Sequence, residues 1–494
     1  MYKIFTNVRR MNRQFDPWLW GALLVAIVVR LIRLDEAAFW LDETFTVTWV
    51  RLPWWEMIRA VLADNHLPLY FIVIKAWICL AGVSPWTLRL PSVLFSWAIV
   101  PLTAAIGEVI DGKRTARWAA WFAALSPYLL QHAQDARMYA LLGALAAANT
   151  LLLGRYLAGQ SQRLGWAFVL VNIALLATHY YGVIFVGAEV MALVTLAPGR
   201  WRSWLTAATA SCFLVLGPVL CAKFLATSNA GGSYEMGLLA LPGLIWSLLS
   251  GYTLIPSSAE LHAQGVRAAM AYLPIAIPAL MAVIILFAAS VHLVAPRTLL
   301  LLTIIIGVVV MGPFAVGLLF PVAINPRYAM AGVPALLVLL AAGCPESTTQ
   351  RVRAGAAAAL VVVMLIASYL HLADPGHGRE QIYAAGKWLD ANVPASEEIL
   401  VASEEMAIMA RFHWPDRRFK VDPSDRTIVG RANADHVATD FPFPDGTRTI
   451  YLYGREWLSD PDGNLLIALK SRYDTCPGSD VRGIRILCFH PRRG

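Results

Sequence analysis

Charge is scarce in this sequence. Only 15% of its residues are Asp, Glu, Lys or Arg, where a soluble globular domain carries about 25%, and 58% are hydrophobic. That shortage excludes an ordinary soluble enzyme. No CxxC pair and no Cys/His spacing of metal-ligand type occurs, which removes zinc ribbons and dithiol redox centres. There is no internal repeat, and no low-complexity tract beyond alanine-rich apolar segments. The polar tail has neither a Gly-rich phosphate loop nor a Ser nucleophile elbow. There are six cysteines. Cys79, Cys212, Cys221 and Cys344 lie in or beside apolar runs, as packing residues. Cys476 and Cys488 lie in the tail, where they can pair if that tail faces an oxidising compartment. No cleavable signal is expected, because the basic start MYKIFTNVRRMNR leads into the apolar run Trp18 to Ile32 with no small-residue cleavage site behind it.

What the chain has instead is long apolar runs. They cover roughly 17–34, 67–83, 88–110, 116–131, 138–158, 164–179, 181–197, 203–225, 267–290, 298–320, 328–344 and 354–372. Most are long enough for a hydrocarbon core of about 30 Å, so the chain reads as an α-helical polytopic membrane protein. The net charge of +8 does not point to nucleic acid, since Lys and Arg cluster in short loops between runs, as the positive-inside rule requires.

Parity then sets a topology. If all twelve runs cross, with basic Lys3, Arg9, Arg10 and Arg13 inside, the loops DGKRTAR (111–117), RYLAGQSQR (155–163), PGRWR (198–202), APR (295–297) and QRVR (350–353) all fall outside. Withdrawing one early run returns each of them to the cytoplasm. The run 67–83 is short, contains Pro68 and carries Lys75, and reads better as an interfacial helix with a snorkelling lysine. The expectation is about eleven spans, an inner amino terminus and an outer carboxyl terminus. Interfacial helices occupy the first outer loop (35–87), and 226–265 forms another outer loop.

From residue 374 the material changes. Short apolar runs at 398–403, 449–454 and 484–490 alternate with helical patterns at 380–392, 404–413 and 464–474. This suggests a membrane unit over 1–373 and a small extracytoplasmic α/β domain over 374–494.

The unusual polar groups gather on the predicted outer face. Asp42 and Glu43 sit in FWLDETF among aromatic residues; acids capping a helix start is the plain explanation, and a carboxylate of tuned basicity is the functional one. His66 precedes Leu67-Pro68 and could bind a metal, a phosphate or a hydroxyl. QHAQDARMY supplies Gln131, His132, Asp135, Arg137 and Tyr139, with helical i,i+4 steps from Gln131 to Asp135 and on to Tyr139. His179 lies in the short turn THYYG. Arg327 and Tyr328 open the run after NPRYAM, where the arginine either snorkels or forks a phosphate. Together these groups suit a substrate with a lipid tail, an anionic phosphate and a hydrophilic head.

In that order, WLDE, His66-Leu67-Pro68-Leu69-Tyr70, RLPS (89–92), SPYLLQHAQDARMYAL (126–141), His179 and PRYAM resemble the bacterial GT-C glycosyltransferases related to protein O-mannosyltransferases and lipid A aminoarabinose transferase. The resemblance covers about residues 17–345. It implies inverting transfer of a sugar from a polyprenyl-phosphate donor, on the outer face of a bacterial inner membrane, to a protein, lipid or polysaccharide acceptor. By that likeness Asp42 is the base, Glu43 assists it and Asp135 is the second acid. Arg137 and Arg327 hold the lipid phosphate. His66 contacts substrate or metal. Tyr139, His179 and Tyr328 complete the binding set. The usual His-Pro-Pro is interrupted by Leu67. A divalent metal ion, with His66 and Glu43 as candidates, stays open. The rival readings are a flippase or transporter, which needs mid-membrane polar groups or a repeat, a ligase using a diphosphate donor, and a non-catalytic scaffold.

Overall fold

The computed structural model describes residues 16–64, 66–159, 164–197, 201–225, 240–256, 267–319, 325–347, 349–374, 381–421, 448–454 and 464–492. The basic amino-terminal residues Lys3, Arg9, Arg10 and Arg13, and parts of the 155–163, 198–202 and 226–265 loops, lie outside them.

Helix α1 (Pro17–Leu31) is followed by three short helices, α2 (Leu41–Arg51), α3 (Trp54–Ala63) and α4 (Leu69–Ala81). Then come α5 (Pro85–Asp111), α6 (Lys113–Leu125), α7 (Pro127–Ala133), α8 (Tyr139–Leu157), α9 (Leu164–Thr178), α10 (Gly182–Leu196), α11 (Trp201–Leu225) and α12 (Ala240–Ser250). After α13 (Arg267–Met270) the chain continues through α14 (Leu273–Leu293), α15 (Pro296–Leu319), a 3-10 helix (Pro326–Gly332), α16 (Val333–Ala342) and α17 (Arg351–Ala373). Among the described residues five helices have both the length and the hydropathy to cross a membrane: α5, α8, α14, α15 and α17. Shorter apolar helices, including α1, α4, α9 and α10, accompany them. The chain is a multi-pass membrane protein.

Three expectations need correction. The run 116–131 is not one helix: Pro127 starts a new one, and the Ser126 hydroxyl caps it by accepting from the Leu129 amide at 3.2 Å. The segment 226–265 is not all loop, because ALPGLIWSLLS folds as α12 with Leu244, Leu248 and Leu249 buried. Lys75 does not snorkel. Its ammonium is buried at the end of α2, donating to the carbonyls of Val50 at 3.0 Å and of Leu52, with the Trp54 ring 5.1 Å away. The last carbonyls of a helix have no intrahelical donor, and a cation there also meets the negative end of the dipole. Polar groups also occur inside the helices: Asn149 donates to Asn172 at 2.7 Å, and Arg30 and Glu189 are buried.

The last described elements are α18 (Ile382–Asn392), β1 (Glu398–Val401), α19 (Glu404–His413), β2 (Arg418–Val421), β3 (Thr449–Gly454), α20 (Asn464–Arg472), β4 (Tyr473–Val481) and β5 (Ile484–Pro491). The sheet order is β2-β1-β3-β5-β4. β1 runs parallel to β2 and β3, and β5 is antiparallel to β3 and β4. This is the α/β unit read from the alternating runs, with β2 and β4 as the strands that reading lacked. Cys476 and Cys488 face each other across β4 and β5 and form a disulfide, with their Cα atoms 4.9 Å apart.

Candidate functional site

The site is built around the first turn of α2. The chain enters that helix through Trp40 as N-cap, with no side-chain cap, and Asp42 and Glu43 occupy its first turn. Acids there are favoured by the dipole, so the plain explanation holds for their location. It does not explain their partners, which are divided between two sides of the helix.

Glu43 is sealed in. Both carboxylate oxygens take a fork from Arg89, Nε to Oε1 and Nη2 to Oε2, each at 2.7 Å, and Oε1 also accepts from the Ala136 amide at 2.9 Å. Arg89 then donates to the carbonyls of Leu34 at 2.8 Å, Ala37 at 3.0 Å and Ala38 at 3.2 Å. All five of its N–H groups are used. The arginine of RLPS, read above only as part of a resemblance, is therefore the strut that fixes the chain entering α2. No sequence signal distinguishes it from a snorkelling residue, because its partners lie 46 to 55 positions away.

Asp42 points elsewhere. Its Oδ2 accepts from Arg327 Nη1 at 2.7 Å and lies 4.0 Å from Arg137 Nε. Arg137 also donates from Nη1 to the Asp42 carbonyl at 3.1 Å and to the Thr46 hydroxyl at 3.3 Å, and from Nη2 to His66 Nε2. Nε of Arg137 and Nε of Arg327 are buried with no hydrogen-bond partner among the described residues. Such a pair of buried donors is costly unless something accepts from them.

Around the two guanidinium groups stand aromatic rings. Arg327 lies 5.2 Å from the Tyr139 ring, 5.9 Å from Tyr328 and 6.0 Å from Trp40, within cation–π range. His179 sits 5.6 Å from Tyr139 and 5.7 Å from Tyr328, and Tyr328 stacks on Tyr181 at 4.3 Å. Trp40 donates its indole N–H to Asp135 at 2.9 Å. Asp135 is not on a helix shared with Gln131, as the i,i+4 reading had it. α7 ends at Ala133, and Asp135 and Arg137 lie in the turn before α8, where the Arg137 amide bonds back to the Asp135 carbonyl at 2.8 Å. Arg327 is set by Asn325, which accepts from its amide at 3.2 Å, and by Tyr128, which donates to the Pro326 carbonyl at 2.9 Å.

The structure thus gathers Asp42, His66, Asp135, Arg137, Tyr139, His179, Arg327 and Tyr328, and places Glu43 behind them. Trp40, Thr46 and Tyr181 also belong to the cluster and are not among the candidate site residues of the sequence; only folding brings Trp40 to Arg327, Thr46 to Arg137 and Tyr181 to Tyr328. The metal candidates do not fit a divalent cation. His66 Nε2 already accepts from Arg137, and both Glu43 oxygens are on Arg89. Among the described residues no group of three His, Cys, Asp or Glu side chains converges.

Burial, and then the Arg137 charge, push the His66 imidazole below its ordinary value. Its Nε2 accepts from Arg137, so Nδ1 carries the proton and donates to the Asp64 carbonyl at 2.8 Å. Burial likewise takes His179 down to about 3. A lowered folded-state value means the unfolded chain binds more protons. Stability is then complete above about pH 6.5 and declines as pH falls below it. We expect His66→Gln to flatten part of the fall in melting temperature between pH 7 and pH 5. Equal slopes in both proteins would show that His66 is not held neutral.

No family model matches the chain, and no curated protein matches it by sequence. Solved structures do match. ArnT from Cupriavidus metallidurans bound to undecaprenyl phosphate aligns at TM-score 0.53 and 14% identity, over 96% of this chain and 98% of that one. Its apo state aligns at TM-score 0.57 and 13% identity, with the same coverage. The Archaeoglobus fulgidus oligosaccharyltransferase tethered with an acceptor peptide aligns at TM-score 0.51 and 11% identity, over 97% of this chain and 74% of that one. The chain has the GT-C fold. At these identities the likeness is one of architecture.

Proposed function

We propose that this GT-C chain is an inverting glycosyltransferase that moves a sugar from a polyprenyl-phosphate carrier to an acceptor at the outer face of a bacterial inner membrane. The observation that carries the reading is the pairing of Asp42 with Arg327 beside Arg137, with two buried guanidinium Nε donors that have no hydrogen-bond partner among the described residues. An arginine pair with spare donors, ringed by aromatic side chains, suits a lipid-linked phosphate. That the fold is shared with a protein crystallised with undecaprenyl phosphate supports the same ligand class.

The pairing also suggests an order of events. While Asp42 is bonded to Arg327, its Oδ2 is occupied by that donor. A phosphate arriving at Arg327 and Arg137 competes for that guanidinium and frees the carboxylate to take the acceptor's proton. The acceptor heteroatom then bonds to the anomeric carbon as the bond from that carbon to the phosphate oxygen breaks. The electron pair leaves with the polyprenyl phosphate, whose charge the arginines stabilise. One displacement from the opposite face inverts the carbon. Asp135 acts through Trp40, and Glu43 through the backbone it anchors.

The topology follows the parity argument: amino terminus inside, residues 374–494 as an extracytoplasmic domain on the 1–373 membrane unit. The Cys476–Cys488 disulfide supports an oxidising compartment for that domain.

Native mass spectrometry of detergent-purified protein tests the reading. Wild type should retain a prenyl monophosphate species, and Arg327→Ala with Arg137→Ala should lose it by at least tenfold, roughly 1.4 kcal/mol or more. A retained diphosphate-linked glycan would favour the ligase reading. Absence of any prenyl lipid from wild type, even after adding undecaprenyl phosphate, would sink the proposal.

A further inference from the structure

The α/β unit grips the acid-bearing helix. Leu41, one residue before Asp42, is buried in the cluster formed by Ile382, Ala385, Leu389, Met406, Met409 and Ala410, not in the membrane core. Phe412 of α19 packs edge-on against Phe39 at 5.8 Å and lies 5.6 Å from the Arg51 guanidinium at the far end of α2. His413 Nε2 donates to the Phe39 carbonyl at 2.8 Å across 374 residues of sequence.

That hydrogen bond completes a series. The carbonyls of Leu34, Ala37 and Ala38 are held by Arg89, and that of Trp40 accepts the Glu43 and Thr44 amides at 2.9 and 3.0 Å. The Phe39 carbonyl lies between these two sets, and its donor comes from the α/β unit. Trp40 offers no side-chain cap, so the first turn of α2 depends on backbone bonds and on the direction in which residues 37–40 enter it.

We propose that His413 and Phe412 are positioning residues which make the α/β unit a clamp on the first turn of α2, holding Asp42 toward Arg327. The part of this that concerns transfer rests on the glycosyltransferase reading; the clamp itself does not. His413 touches no reacting atom and acts through the Phe39 peptide. The role needs an N–H donor at the position of Nε2, which glutamine can supply and phenylalanine cannot.

Amide hydrogen exchange and transfer kinetics on the full-length protein test it together. In His413→Phe the Glu43 and Thr44 amides should exchange roughly tenfold faster, while the β3 amides keep wild-type protection. His413→Gln should restore slow exchange. Transfer by His413→Phe should show kcat reduced about tenfold, with KM for the donor within about twofold. Unchanged exchange at Glu43 and Thr44 in both His413→Phe and Phe412→Ala would overturn the clamp. Faster exchange with wild-type kcat would overturn the positioning role. Faster exchange in a protein that transfers no sugar even as wild type would uphold the clamp and remove the transferase reading. Should β3 also lose protection in His413→Phe, Phe412→Leu, which keeps apolar volume at the contact, decides the matter by the same amides.

Discussion

Asp42→Asn should lower sugar transfer by about a thousandfold, the scale of a lost general base, and leave the protein folded. The asparagine has the same shape and still offers Arg327 an oxygen acceptor, but it cannot take the acceptor's proton. The side chain is also the more accessible of the two acids, at 16% against 0% for Glu43, so its charge is less costly to alter. Donor retention by mass spectrometry should persist or rise, because Arg327 loses an anionic competitor for the phosphate. This separates loss of chemistry from loss of binding. Near-wild-type transfer by Asp42→Asn would mean that another group removes the proton, and Asp135 would be the next residue to replace.

The second large effect falls on stability. Arg89→Met removes one partner of a fully buried ion pair, which typically costs about 3–5 kcal/mol, and strips donors from three carbonyls as well. The variant should melt well below wild type by fluorescence-detected size exclusion. Arg89→Lys should rescue little, since a point ammonium cannot fork Glu43 and span Leu34, Ala37 and Ala38. Replacing both partners, Arg89→Met with Glu43→Leu, should recover part of the loss, because no buried charge is left alone. Recovery stays incomplete because the Ala136 amide loses its acceptor. A single Arg89→Met variant as stable as wild type would show that the pair is not the anchor of α2.

These expectations mark the limit of what could be read from FWLDETF alone. Both acids were visible as a pair in an aromatic setting, and their separate fates were not. Helical spacing predicts that neighbours at positions 42 and 43 diverge by about 100°, but not that Arg89 waits on one side and Arg327 on the other. His66 and Arg137 were each noted, yet their hydrogen bond depends on how α2, α4 and the turn after α7 meet. Lys75 is ambiguous in the sequence for the same reason. A charge in an apolar run looks like a snorkelling residue until the end of α2 is placed beside it. Pro127 and α12 differ in kind, since a helix start after Ser126 and an apolar stretch at 240–250 are both local features of the sequence.

The membrane class is legible in the residues alone, because so many long apolar runs with so little charge exceed what a soluble core can bury, and so are the ordered motifs and the switch from helical runs to alternating strands and helices after residue 374. The sequence also puts Cys476 and Cys488 in the polar tail. Folding sets which acid meets which arginine, leaves two guanidinium Nε atoms buried without a hydrogen-bond partner among the described residues, and seats the α/β unit on α2 through Leu41, Phe39 and His413. Periodicity is local, carried by residues three or four apart, whereas the contacts of Arg89, Arg327 and His413 span 46, 285 and 374 positions, and no local pattern encodes a partner at such a distance.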